Sequence, residues 1–103
     1  MDLSQKRRQV IEILKTIFDP EIPVNIWDLG LIYAVDCTPE NVVTVIYTLT
    51  SPNCPAIDIL PEQMQIAIES LPELEEVNLK LVWDPTWSKS MMSDEAKLEL
   101  GMF

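Results

Sequence analysis

The sequence predicts an α+β fold, a two-layer sandwich in which a small sheet with an antiparallel hairpin has helices on one face. Three observations predict it. Apolar residues recur at helical spacing, other segments alternate or are rich in β-branched residues, and turn residues separate the two kinds of segment. The resulting element order is α-β-β-α-β-α. With 103 residues, 48% of them hydrophobic, the chain is long enough for one domain over residues 1–103.

The first helix is predicted over residues 4–18, where five apolar side chains lie at helical spacing. Ser4 suits the N-cap position because its hydroxyl can accept a hydrogen bond from the first turn. The segment "DPEIP" follows, and its two prolines cannot continue a helix. We therefore expect the helix to end by Phe18.

The first two strands are predicted over residues 31–37 and 42–50. Residues 31–37 alternate as strand residues do, and residues 42–50 are rich in β-branched side chains, which favour strands. Between them "TPEN" is typical of a turn, with Pro39 at its first central position. These two strands are expected to form a hairpin.

The second helix is predicted from an apolar stripe that runs from Leu60 to Leu71. Two starts are open for this helix. A start at Pro55 requires a kink at Pro61, whereas a start near Asp58 places Pro61 in the first turn, where proline is tolerated.

A third strand is predicted over residues 77–83, where apolar and polar residues alternate again. A short last helix is predicted from Ser93, an N-cap followed by Asp94 and Glu95, to Gly101 as a C-cap.

The composition excludes several classes of function. The chain has no histidine, which excludes hydrolase triads and histidine-based zinc sites within one chain. Its formal net charge of −10 repels nucleic-acid backbones, and it either only secures solubility or attracts basic partner surfaces. No apolar run is long enough for a bilayer, the N-terminus lacks a secretory signal, and two cysteines make no disulfide framework. These features predict a cytoplasmic protein that binds neither nucleic acid nor membrane.

Cys54 is the first candidate site residue, because it lies between the second predicted strand and the second helix. Free backbone N–H groups at a helix N-terminus lower the pKa of a thiol and favour the thiolate, which ligates metals or attacks electrophiles. The hydroxyls of Thr48, Thr50 and Ser51 are available as donors to such a sulfur. The alternative is that Cys54 is a small buried filler. Cys37, within a strand pattern, is interpreted as structural.

A second candidate cluster lies in "DPEIPVNIWDLG", where Asp19, Glu21 and Asp28 bring three carboxylates into one turn-rich stretch. The alternative interpretation is helix termination and turn chemistry, with Asp28 and Gly30 leading into the first strand. In an antiparallel hairpin, residues just before the first strand lie opposite residues just after the second. The carboxylate stretch should therefore share one end of the sheet with Cys54.

The third cluster is "WDPTWSKSMMSDEA", with Trp87 and the pair Met91–Met92. Adjacent tryptophans and methionines usually indicate packing. An exposed methionine pair would instead indicate a surface for a partner protein.

Four stretches in this order carry a resemblance: "DPEIPVNIWDLGLIY", "VTVIYTLTSPNCPAIDILP", "LVWDPTW" and "MMSDEAKLELGM". They cover most of the chain, which resembles the metal–sulfur cluster biosynthetic family that includes SufT and PaaD, and is more similar to SufT. The resemblance implies that Cys54 is the family's cysteine. Asn53 replaces the glycine that many members have before it, and Asn tolerates a left-handed backbone. The implied pocket around the cysteine comprises Asp19, Pro20, Glu21, Asp28, Gly30 and Thr50.

The resemblance implies a non-catalytic accessory factor that transiently handles iron or a labile iron–sulfur cluster through Cys54 and delivers it to client proteins. The implied partners are SUF-type assembly proteins and client apo iron–sulfur proteins. One cysteine cannot hold a cluster that requires four thiolates. A homodimer would supply two, so carboxylates, a small thiol such as glutathione, or the partner must supply the rest. The alternative is an adaptor that docks client apoproteins onto the SUF machinery without binding metal. An enzyme with a nucleophilic cysteine ranks below both, because no histidine base is present.

Overall fold

The computed structural model describes residues 3–19, 22–50, 56–72 and 74–101. The predicted element order is confirmed. The elements are α1 (Leu3–Leu14), β1 (Ile32–Cys37), β2 (Val42–Tyr47), α2 (Ala56–Glu69), β3 (Glu76–Leu81), a short 3₁₀ helix (Lys89–Met91) and α3 (Asp94–Glu99).

Helix α1 ends at Leu14, earlier than the apolar periodicity predicts. The chain beyond it turns, and the carbonyl of Ile17 accepts a hydrogen bond of 2.8 Å from the amide of Ile26. Ile17 is buried by this turn rather than by a helix. At the other end α1 already includes Leu3, so Ser4 lies inside the helix and the prediction of Ser4 as N-cap is wrong.

The sheet has the order β1-β2-β3, with β2 in the centre. β1 and β2 are antiparallel, and their connection is the predicted turn, in which the amide of Asn41 donates to the carbonyl of Thr38 at 3.0 Å. β2 and β3 are parallel, with Val43 beside Val77. Parallel neighbours require a crossover connection, which α2 supplies.

Both long helices lie on one face of the sheet, because α1 contacts β1, α2 contacts β3, and the two helices contact each other. The predicted two-layer arrangement is therefore confirmed. Buried apolar side chains of the helices and the sheet fill the space between the layers; they include Val10, Leu14, Val35, Val43, Val45, Leu60, Met64 and Ile68.

Helix α2 begins at Ala56 and contains Pro61, so the observed start lies close to the first of the two predicted starts. Since proline has no N–H, the helix lacks one internal hydrogen bond there. None of the helices in the described residues combines the length and the hydropathy that a bilayer crossing requires.

One irregularity positions the candidate site. The antiparallel register of β1 and β2 shifts between Ile32 and Ala34, as it does at a β-bulge. Just beyond it, the amide of Thr48 donates to the carbonyl of Leu31 at 2.8 Å. The end of β2 therefore lies beside the turn that precedes β1.

Candidate functional site

The turn over residues 25–30 is held by two facing polar side chains. Asn25 accepts a hydrogen bond of 2.9 Å through Oδ1 from the amide of Asp28, and donates one of 2.7 Å through Nδ2 to Oδ2 of Asp28. The side-chain contact that closes this turn thus comes from Asn25. Asp28 is half-buried, and one of its carboxylate oxygens already accepts the hydrogen bond from the side-chain amide of Asn25.

Gly30 ends this turn in a left-handed conformation, with φ of 81°. A Cβ atom there would lie 2.4 Å from the carbonyl oxygen of Met91 and 2.8 Å from its carbonyl carbon. Both contacts are shorter than non-bonded atoms tolerate. The position therefore requires glycine for its conformation and also for the close approach of a second backbone.

That second backbone belongs to the segment over residues 87–93, which lies against the turn over residues 25–30. The indole N–H of Trp87 donates to the carbonyl of Leu29 at 2.8 Å. The amide of Ser93 donates to the carbonyl of Asp28, also at 2.8 Å. The C-terminal segment thus fixes the backbone of the turn that bears the predicted pocket residues Asp28 and Gly30.

The predicted partner surface needs a correction at this segment. Met92 is only 6% exposed and belongs to the hydrophobic core, so the assignment of Met92 to a partner surface is wrong and the packing interpretation applies to it. The cause is the docking of the segment onto the turn, which a local pattern does not reveal. Met91 and Trp87 are half-buried, and Met91 keeps access to a cleft.

An open cleft of about 520 Å³ is lined by Gly30, Ile32, Tyr33, Pro85 and Met91. The Tyr33 hydroxyl donates to the carbonyl of Pro85 at 2.7 Å and lies 3.5 Å from Sδ of Met91. Burial raises the pKa of Tyr33; an interaction with Thr48 lowers that pKa, and the charge of Asp84 raises it further. The phenol therefore stays protonated and remains a donor at neutral pH.

Thr48 is fully buried behind this tyrosine. Its Oγ1 forms no hydrogen bond of normal geometry with a described residue, although it is close enough to influence the pKa of Tyr33. A buried hydroxyl usually has a partner. Thr50, two residues on, is half-buried.

Asp19 is also buried, with 5% of its surface exposed. Its Oδ1 accepts a hydrogen bond of 3.2 Å from the amide of Ile22, and its own amide donates to the carbonyl of Val24 at 3.3 Å. Burying a carboxylate is costly unless it is hydrogen-bonded. Asp19 thus acts at least as a turn-forming residue, as the structural alternative for this stretch predicts.

Several predicted site residues lie outside the described residues: Pro20, Glu21, Ser51, Asn53 and Cys54. A shared pocket of Asp19, Glu21 and Cys54 therefore stays a prediction. The described neighbours agree with its geometric premise, since Thr48 at the end of β2 is hydrogen-bonded to Leu31 directly after the 25–30 turn. Among described residues, no group of three or more acidic or cysteine side chains is arranged to hold a metal ion.

Cys37 lies at the opposite end of β1 from this cleft and is half-buried. Burial raises the pKa of its thiol; the nearby cations of Lys6 and Arg7 lower that pKa, and Asp36 raises it. Lys6 donates to Asn41 and Arg7 donates to the carbonyl of Val35 at 3.1 Å. A protonated, half-buried thiol is a poor metal ligand.

The sequence interpretation missed two residues of this region, Tyr33 and Asn25. The alternation of residues 31–37 predicts a strand that contains Tyr33, but it does not reveal that the Tyr33 hydroxyl donates to the carbonyl of Pro85, 52 positions away. Asn25 had a sequence signal: an Asn three residues before an Asp, near a glycine, is typical of side-chain-closed turns.

Comparisons with known proteins place these features in a family context. The family model described as "Iron-sulfur cluster assembly protein" matches residues 7–81. A protein of Porphyromonas gingivalis named Fe-S protein maturation auxiliary factor is 48% identical, over 97% of this chain and 95% of its own length. The Fe-S protein maturation auxiliary factor SufT of Staphylococcus aureus is 40% identical, over 84% of this chain and 98% of its own. A crystal structure of a domain of unknown function, DUF59, from Bacillus anthracis is 31% identical, covers 98% of this chain and 96% of its own, and has a TM-score of 0.91.

Proposed function

Because this chain belongs to the iron–sulfur cluster assembly protein family, we propose that it acts as an auxiliary factor in the maturation of iron–sulfur proteins. The observation that carries this proposal is the 48% identity to a maturation auxiliary factor across 97% of the chain. The relation covers nearly the whole of both proteins. The resemblance to SufT-like proteins that the motifs predict is confirmed by the same comparison and by SufT of Staphylococcus aureus.

Within this role, the protein transiently handles iron or an iron–sulfur cluster through Cys54 and passes it to client proteins. The residue inventory supports this choice of ligand. The chain has two cysteines and no histidine, and burial raises the pKa of Cys37, which disfavours its thiolate. Carboxylates are hard ligands and match cluster iron poorly. Cys54 is therefore the remaining thiolate ligand of the chain.

A single thiolate per chain makes this cargo labile, because a cluster requires four thiolate ligands in its usual sites. The missing ligands come from the assembly protein that gives the cluster or from the client that receives it. Lability suits transfer. The partners of the protein are accordingly SUF-type assembly proteins and client apo iron–sulfur proteins.

The test compares Cys54→Ser with the matched variant Cys37→Ser, each reconstituted anaerobically with ferrous iron and sulfide. Bound iron is counted and visible absorption recorded, and each variant is assayed for support of a client iron–sulfur enzyme in cells. Cys54→Ser should keep its melting temperature, lose the bound iron and fail to support the client. Cys37→Ser should keep both iron and support.

The outcomes separate cargo handling from docking. If Cys54→Ser retains iron, the assignment of the ligand is wrong. If wild-type protein takes up no iron and Cys54→Ser still supports the client enzyme, the protein is an adaptor that docks apoproteins onto the assembly machinery. If removal of the whole chain leaves client maturation unchanged, the maturation role itself is refuted.

A further inference from the structure

Helix α2 exposes three large apolar side chains, Ile57, Ile59 and Ile66, and helical spacing places the last two on its outer face. Ile59 is 39% exposed and Ile66 is 64% exposed. They are seven residues apart, which is close to two helical turns, so they lie on one line along the helix. The buried side of the same helix carries Leu60, Met64 and Ile68. The inner face of α2 therefore packs against the core, whereas Ile59 and Ile66 face outward.

A row of carboxylates runs beside these isoleucines. Asp58, Glu62 and Glu69 are exposed, and helical spacing places all three along one side of the Ile59–Ile66 line. Gln65 donates to Glu69 through a hydrogen bond of 2.9 Å, which orients that carboxylate. The outer face of α2 is therefore an apolar stripe with an acidic edge.

The same surface continues past the end of α2 to the start of β3. A small open cleft of about 180 Å³ is lined there by Glu69, Leu74, Glu75, Glu76 and Val77. Its apolar walls come from Leu74 and Val77, and its rim carries carboxylates. The cleft thus repeats, at the end of the helix, the same combination of apolar surface and negative charge.

Helix α2 contains no lysine or arginine, and neither does the rest of the chain over residues 16–79. The first basic residue after α2 is Lys80, in the second half of β3. In α1, Lys6 donates to Asn41 and Arg7 to Val35, so both turn toward the β1–β2 hairpin rather than toward α2. Within the described ranges, the recorded ion pair joins Lys15 to Glu12 of α1. The carboxylates of α2 are therefore available to cations from outside.

We infer that the outer face of α2 and the adjoining start of β3 form a docking surface for a partner protein that presents a basic amphipathic segment. Apolar residues of that segment cover Ile59 and Ile66 and enter the cleft at Leu74. Lysines or arginines of the same segment meet the acidic row. The residues of this surface are different ones from Cys54 and from the Trp87–Met91 region.

Charge complementarity selects a basic partner over a second copy of this chain. Two copies at a net charge of −10 each repel one another over a Debye length of about 10 Å. A basic segment is attracted over that same distance, and such steering raises association rates. The isoleucines then supply the short-range contact that steering alone lacks.

The test uses a fluorescent synthetic peptide with leucines at helical spacing and lysines at the other positions, and anisotropy reports its binding to the full chain. Ile59→Ser combined with Ile66→Ser should weaken binding at least about tenfold. Glu62→Lys combined with Glu69→Lys should weaken it similarly and reduce its salt dependence. In wild-type protein with labelled isoleucine methyl groups, the NMR signals of Ile59 and Ile66 should shift on titration.

Two matched controls identify the surface. Leu98→Ser removes an equally exposed apolar side chain, 69% exposed, from α3. Asp36→Lys with Glu99→Lys makes the same change in net charge away from α2. Both controls should change affinity by less than about threefold. Equal weakening by a control and its α2 counterpart would mean non-specific attraction and overturn the proposal. A homodimer in sedimentation that Ile66→Ser dissociates would assign the face to a second copy instead.

Discussion

Gly30→Ala tests whether the close contact between the 25–30 turn and the 87–93 segment is as tight as the structure shows. A Cβ at this position lies 2.4 Å from the carbonyl oxygen of Met91, whereas ordinary contact begins at 3.4 Å. The backbone of Met91 must therefore retreat by about 1 Å. Such a retreat lengthens the hydrogen bond from Trp87 to Leu29, now 2.8 Å.

The magnitude follows from two contributions. A Cβ in the left-handed region costs about 1–2 kcal/mol. Losing one buried hydrogen bond and loosening the contacts around Met91 costs about 1–2 kcal/mol more. The free energy of unfolding should thus fall by about 2–4 kcal/mol, a large part of the roughly 5–15 kcal/mol that a domain has. The melting temperature should fall by about 10–20 °C.

The assay is urea unfolding followed by circular dichroism, and the chain offers a matched control in Gly101→Ala. Gly101 has a similar φ of 70°, but a Cβ there meets nothing within 4 Å. Gly101→Ala should lower the free energy of unfolding by no more than about 1–2 kcal/mol, which is the cost of a Cβ in the left-handed region alone. Equal losses for both variants would show that the contact with Met91 contributes nothing, and the reasoning would be refuted.

Two further predictions follow from the titrating groups. Burial raises the pKa of Tyr33 above its ordinary 10.0, so the contribution of Tyr33 to the free energy of unfolding is complete below pH 10 and is lost as the pH rises above that value. Urea unfolding of Tyr33→Phe should therefore show a smaller fall in the free energy of unfolding above pH 10 than wild-type protein does. An equal fall in both proteins would contradict this. Because burial raises the pKa of the Cys37 thiol, Cys37 should be alkylated more slowly at neutral pH than Cys54 when single Cys→Ser variants are compared, and a faster Cys37 would contradict the choice of Cys54 as ligand.

The parts of the fold that follow from local chemistry could be predicted from the sequence. The turn between β1 and β2 closes from Asn41 to Thr38 as "TPEN" predicts. Ser93 caps α3, with its Oγ accepting from the amide of Ala96 at 3.1 Å. In both cases the residues that decide the structure are within four positions of one another, so their types suffice.

Features that depend on distant contacts could not be predicted in this way. The parallel pairing of β2 with β3 depends on how α2 crosses the sheet, which no strand pattern contains. The burial of Met92 depends on the hydrogen bond from Ser93 to Asp28. Helical periodicity predicts that α1 includes Ile17, because periodicity indicates only that Ile17 is buried. Ile17 is buried after the helix has ended, in a turn whose backbone is hydrogen-bonded to Ile26.

The contact between residues 87–93 and the 25–30 turn affects the order in which the chain folds during synthesis. Trp87 and Leu29 are 58 positions apart, and a contact of such separation forms only after a long loop has closed. On the ribosome, residues 25–30 emerge well before Trp87 and Ser93 exist. The turn bearing Asp28 and Gly30 therefore cannot be held in its final geometry before residues 87–93 have been synthesised.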